Sequence, residues 1–145
     1  MHLNTAGRVV ERTWDGLPNR FPTLALDAFV VMPNHIHGIV CLVGAGLALP
    51  SRDSDVLAPP SLSHVVGAFK SLGAIAANRA LSRPGRPLWQ RNYFEHIIRN
   101  DNALRRIREY IATNPARWAF DGENPDRSGD DEFDRWLSDR ADAQR

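Results

Sequence analysis

The chain has 145 residues, 43% of them hydrophobic and 24% charged. That length and balance suit a single domain with its own core and exclude wholesale disorder. Its 18 basic and 17 acidic residues leave a net charge of +1, which excludes a uniformly basic nucleic-acid binder.

Seventeen of the basic residues are Arg, Lys70 being the exception. Planar, bidentate donors suit phosphate contact, and GC-rich coding gives the same bias. Cys41 stands alone, so no intramolecular disulfide can form, which fits a cytoplasmic protein. The N-terminus lacks the basic-then-apolar layout of a signal peptide. Ala28 to Ser51 contains no Asp, Glu, Lys or Arg, a stretch long enough to span a bilayer. Pro33, Asn34, His35, His37 and three glycines within it fit a strand pair and loop instead, so no membrane partner is expected.

Asn4 can cap a first helix in which Val10, Trp14 and Leu17 form one apolar stripe, ended by Pro18 and Asn19. Ala28 to Met32 is a short β-branched run and predicts a buried strand. Pro33-Asn34 is turn chemistry, and His35 to Val43 predicts the second strand of an antiparallel hairpin. Gly44 to Pro60 is a Gly/Pro/Ser/Asp-rich loop. Ser61 or Ser63 caps a second helix over about 62–81, with the stripe Leu62, Val66, Phe69, Gly73 and Ala76 broadened by Val65 and Leu72. After the turn Arg83-Pro84-Gly85-Arg86-Pro87, the apolar run from Leu88 to Ile98 predicts another strand. Asn100 or Asp101 caps a third helix, docked through Leu104, Ile107 and Ile111 and ended near Asn114 by Pro115. From Asp121 the chain turns acidic, and Phe133, Trp136 and Leu137 can form one short docking helix. The expected organisation is a domain over 1–120 and an acidic tail over 121–145.

Two constellations carry chemistry. In His35-Ile36-His37 the alternation of a strand puts both imidazoles on one side, close enough to grip one divalent ion. Two satisfied polar residues at a strand start are the alternative. Tyr110 and Asn114, four apart, share one helical face, and Arg106 extends that line one turn back. The alternative there is a surface Tyr whose hydroxyl meets water.

Val30-Val31-Met32-Pro33-Asn34-His35-Ile36-His37-Gly38, then Trp89-Gln90-Arg91-Asn92-Tyr93-Phe94-Glu95-His96-Ile97-Ile98-Arg99-Asn100, then Arg106-Ile107-Arg108-Glu109-Tyr110-Ile111-Ala112-Thr113-Asn114-Pro115 follow in order. This succession closely resembles the single-tyrosine HUH transposases, in particular the REP-associated tyrosine transposase branch, over roughly residues 3 to 125. The resemblance implies an α+β, ferredoxin/RRM-like HUH fold, an antiparallel sheet with helices packed on one face. It also places a strand ahead of the first helix. This sequence opens on the helix, so a sheet short of that strand is expected, with an edge open to another chain.

The resemblance further implies that His35, His37 and Asn114 hold a divalent metal, Mg²⁺ or Mn²⁺. Tyr110 would be the nucleophile that cleaves and rejoins single-stranded hairpin DNA through a 5′-phosphotyrosine. Lys70, Arg79, Trp89, Gln90, Arg91 and Arg106 are the candidate DNA contacts. Trp89 to Asn92 mix flat and hydrogen-bonding side chains that suit a single strand. Tyr93 is the rival tyrosine, expected in the core or as a stacking surface. A monomer or homodimer is expected. A catalytically inactive single-stranded DNA-binding relative stays open, as does a nuclease that uses water with Tyr110 structural.

The near-zero net charge hides a polarised chain. Residues 64–118 carry 10 basic and 3 acidic groups, whereas residues 119–145 carry 4 and 9. The basic block is the electrostatic footprint a DNA enzyme needs, and the acidic tail can compete with DNA for it.

Overall fold

The computed structural model describes residues 2–43, 59–129, 131–133, 135, 136 and 139. Most of the predicted loop from Gly44 and the predicted Leu137 contact lie outside them. The architecture is α+β, with the order α1 (Thr5–Asp15), α2 (Leu17–Arg20), β1 (Leu24–Val31), β2 (Ile36–Leu42), α3 (Leu62–Ala80) and α4 (Asp101–Thr113), then a 3₁₀ helix over Asn114–Phe120. The contacts divide the chain into two units, one built from residues 28–38 and 92 onward, the other from residues 2–27 and 39–91.

Local chemistry sets the helix starts. Asn4 Oδ1 accepts from the Gly7 amide at 2.8 Å, Ser61 Oγ from His64 at 3.2 Å and Asn100 Oδ1 from Ala103 at 2.8 Å. Each satisfies a donor that the first helical turn leaves unpaired. Pro18 does not end the first helical region as predicted. It sits in the first turn of α2, where its missing N–H costs no helical hydrogen bond.

β1 and β2 form a two-stranded antiparallel hairpin. The Met32 amide donates to the His35 carbonyl at 2.9 Å across Pro33-Asn34. β1 begins earlier than the apolar run suggested, at Leu24. Leu88 to Ile98 is not a strand: the segment has no ladder partner among the described residues, and Tyr93, Phe94 and Ile97 are exposed. Strand propensity without a partner leaves backbone hydrogen bonds unmade. Tyr93 is therefore not a core residue.

In the unit with residues 2–27 and 39–91, α1 packs on α3 through Val10 and Trp14 against Val65, Phe69, Gly73 and Ala77. Trp14 meets Phe69 edge to face at 5.8 Å. The buried line of α3 is thus Val65, Phe69, Gly73 and Ala77: Val65, Phe69 and Gly73 are as predicted, Ala77 takes the place of Leu62, Val66 and Ala76, and Leu72 is exposed. Gly73 faces Trp89, whose ring atom Cζ2 would lie 3.3 Å from an added Cβ, a tight contact.

In the unit with residues 28–38 and 92 onward, Ala103, Ile107, Tyr110 and Ile111 are the buried face of α4, joined by Met32 and Phe133. Four polar residues, Asn114, Asp121, Asn124 and Asp131, are buried with them. Such groups are costly to bury unless partnered, and of their side-chain atoms only Asn114 Nδ2 and Asp121 Oδ2 are buried without a hydrogen-bond partner. No helix among the described residues is long and apolar enough to cross a membrane.

Candidate functional site

The hairpin turn aims both histidines at one point. His35 lies at the end of the turn and His37 on β2, and their Nε2 atoms are 2.9 Å apart. The side-by-side placement expected from strand alternation is therefore observed, although His35 precedes the strand. Asn34 fixes the His35 ring: its Oδ1 lies 2.8 Å from His35 Nδ1, while its Nδ2 donates to the Glu123 carbonyl at 2.7 Å. With Nδ1 engaged, Nε2 is the nitrogen presented to the site.

Asp121 completes the cluster, and the sequence reading missed it. It follows the 3₁₀ helix, is 2% exposed, and holds Oδ2 at 3.6 Å from His35 Nε2. Its other oxygen, Oδ1, accepts from the Glu123 amide at 2.8 Å, so the carboxylate is oriented by its own turn. Oδ2 has no hydrogen-bond partner. One ligand atom from each of His35, His37 and Asp121 lies within 4.8 Å of the others.

His37 is the electrostatically perturbed member. Burial, and then the neighbouring His35, push its pKa down from 6.5 to about 4, with Asp121 pulling the other way. At neutral pH its ring is uncharged, and a cation held by both Nε2 atoms would take the place of the proton shared between them at 2.9 Å. The shift also makes a stability prediction. Below about pH 6.5 the unfolded chain takes up a proton that the folded one accepts only near 4. Stability is therefore full above that window and lost as pH falls through it, by about 3 kcal/mol at pH 4 for metal-free protein. Urea midpoints measured from neutral pH downward should show the decline, and His37→Gln should flatten it.

Tyr110 lies on α4 and Asn114 is its C-cap residue, where the 3₁₀ helix begins, and both are buried. The Tyr110 ring meets His37 edge to face at 5.3 Å. Its other neighbour is Phe133, stacked on it at 3.9 Å with the rings 15° from parallel. Asp131 fixes Phe133 by accepting from its amide at 2.7 Å and from Arg117 Nη2 at 2.6 Å. The tyrosine is thus a covered residue, not a surface one. Asn114, beneath it, is 1% exposed and its Nδ2 has no partner. Arg106 lies over the Trp136 ring at 4.7 Å. The apolar signal of Phe133 and Trp136 was legible; what it docks on was not.

The remaining candidate DNA contacts belong to the other unit. Lys70 Nζ donates to the Gln90 carbonyl at 2.6 Å, and Trp89 Nε1 donates to the Lys70 carbonyl at 2.8 Å. Trp89 packs on Phe69 at 5.3 Å, while Gln90, Arg91 and Arg79 are exposed. Arg79 and Arg86 line an open pocket at the C-terminal end of α3.

The chain is 36% identical over 129 residues to a protein of Haemophilus influenzae described as uncharacterized, a match covering 83% of this chain and 71% of that protein. No family model and no solved structure matches the chain.

Proposed function

The chain belongs to the same family as that Haemophilus influenzae protein, and we propose that it is a metal-dependent, single-tyrosine HUH transposase that cleaves and rejoins single-stranded hairpin DNA. The observation that carries this reading is the convergence of two imidazole nitrogens 2.9 Å apart, with the ring of Tyr110 against one of the imidazoles. An orphaned buried carboxylate oxygen beside them fits a divalent cation, whose charge would satisfy it. The HUH fold itself is part of the proposal, since the two-stranded hairpin and its helices are compatible with any small α+β fold.

His35 and His37 hold the cation, Mg²⁺ or Mn²⁺, on this reading. When bound, it supplies Lewis acidity to a phosphate oxygen and aligns the phosphodiester. Tyr110 Oη attacks phosphorus, a new O–P bond forms, and the P–O3′ bond breaks. The phenolic proton leaves and the 3′ oxygen ends protonated. The linkage is still a phosphodiester, so the step reverses without a nucleotide cofactor. The basic block over residues 64–118 would bind the strand through its phosphates.

One observation favours a second reading. Tyr110 is only 5% exposed beneath Phe133, which suits a structural tyrosine in a nuclease that uses water. Incubation with end-labelled hairpin DNA and Mn²⁺ separates the two. A denaturation-resistant protein–DNA adduct is expected, whereas cleavage without an adduct selects the water nuclease. Binding without cleavage under several metals selects an inactive DNA-binding relative.

The stack makes a related prediction. Phe133 covers one face of the Tyr110 ring in a residue only 5% exposed, so if that cover limits access of DNA, Phe133→Ala should raise the initial rate of adduct formation several-fold. Circular dichroism checks that the variant remains folded. A lower rate in a folded variant would show that Phe133 assists the DNA instead of covering the nucleophile.

A further inference from the structure

We infer that Asp121, in the place the resemblance gives to Asn114, is the third protein ligand of the cation, making the site a two-histidine, one-carboxylate centre suited to Mn²⁺. This rests on the reading of His35 and His37 as the metal-holding pair. Four features of Asp121 point to a ligand. It is 2% exposed, so its charge is removed from water. Its Oδ2 has no hydrogen-bond partner, although buried carboxylate oxygens normally do. That oxygen faces His35 Nε2 at 3.6 Å, whereas Oδ1 is held by the Glu123 amide at 2.8 Å. The two oxygens therefore have separate tasks, one fixing the turn and one turned toward the imidazoles.

The geometry is close to that of a closed site. Ligand atoms about 2.1 Å from one ion lie roughly 3 to 4.2 Å apart. The three present lie within 4.8 Å of one another, so closure takes a side-chain movement below about 1 Å. Two neutral imidazoles leave the cation's full double charge in a buried site, and one carboxylate halves it. Nitrogen ligands disfavour Mg²⁺, and a carboxylate suits Mn²⁺. Positions not taken by the three side chains stay open for phosphate oxygen.

A consequence follows for the turn after the 3₁₀ helix. The Asn124 amide donates to the Asp121 carbonyl at 3.0 Å, the Asn124 side chain donates to the Trp118 carbonyl at 2.9 Å, and Asn34 reaches the Glu123 carbonyl. Coordination through Asp121 would tie this turn to the hairpin by a second link besides Asn34.

The test uses the full chain with Mn²⁺ alone and no DNA. Binding is read from the loss of the free Mn²⁺ electron paramagnetic resonance signal. Asp121→Asn, nearly isosteric, should weaken binding at least tenfold, and Asp121→Glu should restore part of it. Amide exchange at Glu123 and Asn124 should slow on metal addition in wild type and not in Asp121→Asn. Should Asp121→Asn fail to fold, the wild-type protein decides through the Asp121 side-chain carboxyl carbon resonance, which must shift when diamagnetic Zn²⁺ binds. If Asp121→Asn binds Mn²⁺ within twofold of wild type while His37→Ala does not bind, the carboxylate is no ligand but the histidine site stands. If His35→Ala and His37→Ala also bind as wild type, the metal reading of the histidines fails with it.

Discussion

Tyr110→Phe is expected to form no denaturation-resistant adduct with hairpin DNA, and cleavage should fall by about a thousandfold or more. The substitution removes one oxygen. The ring remains stacked on Phe133 at 3.9 Å and edge to face with His37 at 5.3 Å, so packing is kept. Stability should change by no more than about 1 kcal/mol, the ordinary worth of a hydroxyl's hydrogen bond. DNA affinity should hold, because phosphate contacts dominate it. Loss of chemistry with stability and affinity unchanged assigns the hydroxyl to the reaction. Cleavage at the wild-type rate in this variant would make water the nucleophile and leave Tyr110 a packing residue. Tyr93 is the built-in control. It is the only other tyrosine and is 44% exposed. Tyr93→Phe should give the normal adduct.

What could be read from the sequence divides along the range of the interactions. Helix starts were legible because a cap is a contact three residues long: Asn4, Ser61 and Asn100 each bond an amide within their own first turn. The pairing of His35 with His37, and of Tyr110 with Asn114, was legible because a strand period of two and a helix period of nearly four are local geometry. The segment from Leu88 to Ile98 failed for the opposite reason. Its residues have strand propensity, but a strand exists only with a partner, and a partner is a distant part of the chain. On α3 the centre of the buried line, Phe69 and Gly73, was legible, and the difference at Ala77 has the same kind of non-local cause, since the helix it packs on, α1, is distant in sequence.

The site was half legible on the same grounds. Asp121 is one of nine acidic residues between 119 and 145, and nothing in the composition separates it from a solvated tail. Its distinction is tertiary: the 3₁₀ helix after α4 returns the chain to the histidines. Phe133 showed its apolar character in sequence, but not that Arg117 and Asp131 would anchor it over Tyr110. A tail that reads as acidic and solvated thus places two of its residues against the two chemical constellations.

Replacing His35 and His37 together by Ala should abolish cleavage while sparing most DNA binding. Two imidazoles are the larger part of the ligand set. Without them a cation's contribution to the transition state, several kcal/mol, is lost, which corresponds to about a thousandfold in rate. Affinity for a labelled hairpin, read by fluorescence anisotropy at fixed salt, should stay within a few-fold of wild type, since the basic block over residues 64–118 is untouched. The histidines also have a structural tie through the 2.8 Å contact between His35 and Asn34, and Asn34 bonds the Glu123 carbonyl. That tie sets the control. Asn34→Ala removes the link to the turn while leaving both imidazoles, and should weaken cleavage far less than the double variant does. Equal losses of cleavage in the two, or joint loss of binding and cleavage in the double variant, would mean that the histidines hold the hairpin and the turn together instead of a metal.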